Sequence, residues 1–308
     1  MIIIADKVKH LLVFAIKILI VLGAFYFIYN QLVHNPKLDW QKIQKLVFQK
    51  ATFLGVITMF FLSFVNRFLE IIKWQNLVST FKSISLAEAT KQVLSALTAG
   101  LFTPNGLGEY AGKAFYFKAT ETKKVIFLNL VCNGIQMIIT IFFGTIGLFI
   151  LGYTKIGGLI LLVVGILCVV LYFVKDIKFK IYSLKNIYTE WHRIPKIIHT
   201  KNLFLALGRY ITFSHQYYML FIAFDVQVPY ITLMASIASV YFLASSLPSF
   251  QFLDFAVKGS IAVYFLQQLG VQEWIAVWVT TLLWLLNTAI PVGIGSFYVM
   301  QFKINKNL

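Results

Sequence analysis

Two stretches of otherwise apolar sequence each place an acid and a lysine one helical turn apart, just after a proline. The first reads Pro104-x4-Glu109-x3-Lys113 and the second Pro248-x5-Asp254-x3-Lys258. A proline has no N–H to give and disfavours helix at the residue before it, so each stretch breaks a helix. In the first, Gly106 and Gly108 permit a tight reversal. The acid then falls at the start of a new helix, where negative charge suits the positive end of the dipole. A spacing of four puts the lysine on the same face one turn later. Such charges at membrane depth commonly line a pocket or pathway. Glu109 and Asp254 would then contact cationic or hydroxyl groups of a ligand, and Lys113 and Lys258 a phosphate. The competing reading is structural, with each acid neutralising its own lysine. Lys91, Arg209 and His215 are second-rank cavity candidates. Arg209 could instead snorkel to the membrane surface, and His215 could be a hydrogen-bonded packing residue.

The elements that must position these groups follow from composition. Of 308 residues, 59% are hydrophobic and 12% charged, and mean hydropathy is +0.81. A soluble domain carries about 25% charged residues, so this chain belongs in a bilayer. Spanning helices need about 20 apolar residues. The runs 11–29, 124–152, 157–174, 203–224 and 274–300 meet that standard, and 52–66 continues through Phe68 to Trp74. The first run carries Lys17 and lacks a small-x-small cleavage site, unlike a signal peptide. The fold class is therefore all-α: a polytopic protein of about six full spans plus two broken or re-entrant helix pairs, 87–118 and 230–268. The broken pairs make an inverted repeat conceivable, with halves 52–152 and 203–300 inside a single membrane domain over 1–308.

The net charge of +16 would suggest nucleic acid in a soluble protein. Here the cations lie between apolar runs, where cytoplasmic loops retain them, and no nucleic-acid partner is expected. With six crossings, Lys7, Lys9, Arg67, Lys73, Lys82, Lys118, Lys123, Lys124, the bases of 175–202, Lys303 and Lys306 fall on one side. Only Lys37, Lys42, Lys45, Lys50 and Lys155 fall on the other. Both termini are thus expected in the cytoplasm. The basic loop 175–202 spaces Ile181, Leu184, Ile187 and Tyr188 at helical intervals, as in a membrane-surface amphipathic helix attracted to anionic headgroups.

The stretch 96–117, through Gly100, Pro104, Gly108, Glu109 and Lys113, resembles the N-terminal motif of a flippase-like family. That family includes the transmembrane domain of lysylphosphatidylglycerol synthases. Length, span number and the second proline motif also fit. The family's pattern has Arg where Lys113 stands, exchanging a forked phosphate contact for a point charge. It also has a glycine-rich run where Pro248-Ser-Phe-Gln-Phe-Leu-Asp254 stands, and an acidic-basic pair where Cys132-Asn133 stands. The resemblance implies an integral domain that moves or accommodates lipids, or lipid-linked groups, across the bilayer, and the expected location is the cell inner (plasma) membrane. The synthase's aminoacyl-transferase domain is not expected after Met300, since Leu308 follows soon after.

Enzymatic signals are thin. The histidines His10, His34, His192, His199 and His215 show no metal-ligand spacing, Cys132 and Cys168 fit apolar packing, and no cofactor, metal or catalytic residue is expected. Asn129, Asn133 and Gln136 recur at helical spacing and suit interhelical hydrogen bonds. The leading expectation is a non-enzymatic protein that binds and flips a lipid headgroup, from an anionic phospholipid or lipid-linked sugar, using Pro104, Gly108, Glu109, Lys113, Pro248, Asp254 and Lys258. Alternatives are a secondary transporter of a small metabolite, or a partner of an envelope enzyme. A third, an enzyme acting on polyprenyl-linked sugar, would depend on Asp39, Glu109 or Asp254. A homodimer is also conceivable.

Overall fold

A computed structural model describes residues 51–174, 178–179, 182–247 and 249–302, with isolated positions before 51. The first apolar run (apart from such positions), Asp39 and Pro248 lie outside the described residues. Helix α1 spans Phe53–Val78. Helix α2, Leu86–Gly100, starts at a capping box in which Ser85 and Glu88 satisfy each other's backbone N–H. Then come α3 (Gly108–Ala114), α4 (Thr122–Ile150) and α5 (Thr154–Val174). A two-residue ribbon pairs β1 (Lys178–Phe179) with β2 (Tyr182–Ser183) and leads into α6 (Leu184–Arg193). The second half comprises α7 (Lys196–Ala223), α8 (Tyr230–Ser246), α9 (Asp254–Gln267), α10 (Glu273–Trp284), a π turn at Leu285–Ala289, and α11 (Ile290–Gln301).

Among the described residues, four helical stretches are long and apolar enough to cross a membrane: Phe53–Val78, Ala119–Ile150, Thr154–Phe173 and Glu273–Gln301. Helix α7 has the length, about 42 Å at 1.5 Å per residue, but carries Lys201, Arg209 and His215 and falls below that hydropathy standard. The protein is an all-α polytopic membrane protein. One assignment is corrected. Helix α1 runs on to Val78, so Arg67 and Lys73, counted with the cytoplasmic bases, lie within a continuous helix and not in a loop. Lys73 is fully buried. In the basic segment the helix begins only at Leu184, after the ribbon, and Ile187, Tyr188 and Trp191 remain exposed on it.

Both broken segments double back. A Cβ on Gly108 would lie 2.5 Å from the Ala99 carbonyl, and one on Gly112 would lie 2.8 Å from Ala96 Cα. Helix α3 therefore lies antiparallel against α2, at a separation only glycine allows. In the second hairpin α9 packs on α8, with Lys258 Nζ 5.0 Å from the Tyr241 ring centre. Packing between the halves is reciprocal: α2 lies on α11, α8 lies on α4, and α1 lies on α7. One apolar core gathers around α7 to α10 and a second around α1, α2, α4 and the start of α7.

Candidate functional site

The two breaks meet. The Asn105 N–H donates to the Ser249 carbonyl at 2.8 Å, and the Ser249 N–H to Asn105 Oδ1 at 3.1 Å. Pro104 pairs with Phe250 as an antiparallel bridge, and the Phe252 N–H reaches the Leu101 carbonyl at 3.2 Å. Asn105 and Gly106 hold φ of +48° and +68°, the left-handed values that reverse the chain. Opened backbone thus finds partners across the junction, which irregular chain inside a membrane domain requires.

A cavity of about 430 Å³ opens at this junction, within the roughly 300–1,000 Å³ of small-molecule sites. Of the expected residues, Glu109, Asp254, Lys258 and Arg209 line it. Glu109 and Asp254 each sit in the first turn of their helices. Pro104 and Gly108 shape the turn instead: the Gly108 N–H donates to Thr103 Oγ1 at 2.7 Å.

The two acid–lysine motifs behave differently. Lys258 Nζ contacts Asp254 Oδ2 at 2.6 Å, so this pair is neutralised within its own helix. Lys113 makes no such pair with Glu109. It is buried, donates to Asn129 Oδ1 at 2.6 Å and lies 4.5 Å from the Trp74 ring centre. The expectation that Lys113 faces a ligand phosphate is corrected, because α3 turns it inward between α1 and α4. Glu109 accepts from Gln251 Nε2, at 3.1 Å, across the junction. Two other candidates also leave the site. Lys91 is exposed on α2. His215 bonds the Ile211 carbonyl and the Tyr230 hydroxyl, each at 2.9 Å, away from the cavity.

The wall also holds residues that sequence reasoning did not place in a site, among them Asn66, Glu70, Asn287 and Arg67, which was counted with the loop bases. Glu70 is buried and ion-paired to Arg209, with Lys73 Nζ at 3.7 Å. Arg209 Nε donates to Asn66 Oδ1 at 3.0 Å, and Asn66 Nδ2 to Asn287 Oδ1 at 2.6 Å. Asn287 Nδ2 then donates to Gln216 Oε1 at 2.8 Å, and Gln216 Nε2 to Ser63 Oγ at 2.7 Å. This chain ties α1, α7 and the π turn together. Pro291 has no N–H for the Asn287 carbonyl four residues earlier; Arg67 Nη2 donates to that carbonyl at 2.6 Å. Asn133 and Gln136 line the cavity, whereas Asn129 serves Lys113 as an interhelical partner.

The sequence model of the lysylphosphatidylglycerol synthase TM region matches residues 14–250. The chain belongs to that family. Within the match to the lysylphosphatidylglycerol synthase TM region lie Arg67, Glu70, Glu109 and Arg209, while Asp254, Lys258 and Asn287 lie beyond it. No match was found among curated proteins or among solved structures. The family is a membrane domain associated with lipid handling.

Proposed function

We propose that this protein binds the phosphate-bearing headgroup of a membrane lipid, or of a lipid-linked group, in the cavity between its two hairpins and carries it across the bilayer. The observation that supports this most is the meeting of two helix breaks at a charged cavity, an arrangement shared with transporters built from repeats. The reciprocal packing of α2 on α11 and α8 on α4 supports reading the halves 52–152 and 203–300 as an inverted repeat. We read the chain as a non-enzymatic plasma-membrane protein with both termini cytoplasmic. The remaining bases keep that orientation favoured after Arg67 and Lys73 are removed from the loops.

The test is reconstitution. Proteoliposomes containing the chain should move a fluorescent or dithionite-reducible headgroup between leaflets faster than protein-free vesicles, without nucleotide. If no labelled lipid crosses while a water-soluble metabolite is taken up, the protein is a solute transporter and the proposal fails. If the isolated chain moves neither and co-purifies with an envelope lipid- or glycan-modifying enzyme, it is a partner of that enzyme.

A further inference from the structure

The cavity wall holds two kinds of unsatisfied group. Arg67 makes no ion pair within 4.0 Å among the described residues, and its Nε–H is buried without a hydrogen-bond partner. The Trp284 indole N–H is likewise buried and unpartnered. Both residues line the cavity. These are donors, and one carries a fixed positive charge. A buried donor left unpaired is costly, and a phosphate oxygen accepting from a guanidinium is among the stronger ways to satisfy it.

Glu109 and Gln251 present the opposite chemistry. Among the described residues Glu109 has no cation within 4.0 Å, since Lys113 is sealed behind it and Lys258 is held by Asp254. Its hydrogen bond from Gln251 occupies Oε1. Gln251 Oε1 is buried without a partner and sits on the same wall. A free carboxylate beside an unpartnered carbonyl oxygen is acceptor-only, and it fits an ammonium. The same carboxylate repels a guest that brings negative charge alone.

Resting on the headgroup-binding reading above, we propose that the preferred guest is zwitterionic: a phosphodiester linked to an ammonium, as in an ethanolamine phospholipid. Its phosphate docks at Arg67 and Trp284 and its ammonium at Glu109 and Gln251. The fully paired ions, Arg209 with Glu70 and Lys258 with Asp254, frame the guest without contributing net charge.

The test measures binding of phosphatidylethanolamine, phosphatidylglycerol and phosphatidic acid to the purified full chain, with phosphoethanolamine and inorganic phosphate as soluble competitors. The ethanolamine lipid should bind about tenfold more tightly than the glycerol lipid, and phosphoethanolamine should compete better than inorganic phosphate. Glu109→Gln should bring the lipid ratio near one, while Glu109→Asp retains the preference. Arg67→Gln should weaken both lipids about tenfold. Thermal unfolding of each variant separates lost binding from lost folding. Equal binding of both lipids by the native chain, equal competition by inorganic phosphate, or a ratio unmoved by Glu109→Gln would overturn the proposal. Selective binding without translocation removes the transport reading and leaves this site standing. Equal translocation of both lipids does the reverse, and absence of any lipid binding removes both.

Discussion

Glu70 is one carboxylate among four cations: Arg209 and Lys73 at ion-pair range, with Arg67 and Lys113 within electrostatic reach. Removing a single charge from a buried pair leaves its partner uncompensated, which costs about 3–5 kcal/mol. Glu70→Gln should therefore lower stability by about that amount in denaturant or thermal unfolding in detergent. Glu70→Gln combined with Arg209→Gln should recover part of the loss; a single variant within about 1 kcal/mol of the native chain would contradict this role. Lys113 makes the opposite case. Its position four after Glu109 suggests a phosphate ligand, but its ammonium is turned to Asn129 and the Trp74 face. Lys113→Met should leave headgroup binding within about twofold of native, where Arg67→Gln does not. A tenfold loss in Lys113→Met would restore it to the site.

At the scale of elements, the breaks and their antiparallel return are legible in Pro104, Gly106 and Gly108, because proline and glycine act through the local backbone. The ion cluster of α1 is less legible. Asn66, Arg67, Glu70 and Lys73 look like the end of an apolar run, yet Phe68, Leu69, Ile71, Ile72 and Trp74 continue the helical pattern around them. The signal was that continuation, and only α7 and the π turn packing against α1 decide which way the charges point. Pro291 inside an apolar run likewise signals an unpaired carbonyl, without saying that Arg67 would fill it. Helix contacts make a prediction of their own. A Cβ on Gly147 would lie 2.5 Å from the Ala235 carbonyl, and one on Gly295 would lie 2.2 Å from the Leu94 carbonyl. Such backbone clashes cannot relax by a rotamer change, and in lipid the helices are held mainly by close packing. Gly147→Val or Gly295→Val should cost at least about 2 kcal/mol, whereas Gly134→Ala, with nothing within 4 Å of its Cβ, should be tolerated. Equal unfolding midpoints for all three would show that these contacts do not hold the halves together.

For the whole molecule, moving a headgroup requires the cavity to open alternately to the two leaflets, and the reciprocal packing offers two places where the halves could part. One is the helix pairs α2 with α11 and α4 with α8, where backbone approaches backbone at glycine. The other is the junction of the two breaks, where hydrogen bonds link Asn105 with Ser249, the Phe252 N–H with the Leu101 carbonyl, and the Gln251 side chain with Glu109. The helix pairs pack along their lengths, whereas a few hydrogen bonds hold the junction, so the junction is the natural gate. The antiparallel bridge of Pro104 with Phe250 sets Asn105 opposite Ser249 one step on, and residues so opposed lie at about 4.5–5.5 Å between Cα atoms, within disulfide range. A chain carrying Asn105→Cys and Ser249→Cys, with the exposed Cys168 changed to Ala, can therefore be locked by oxidation. Headgroup binding should survive in the locked chain, because the cavity walls are in place. Translocation in proteoliposomes should fall at least about tenfold and return on reduction. Locked protein that still moves lipid at the native rate would mean the junction stays closed throughout transport, and the helix pairs would then have to supply the motion.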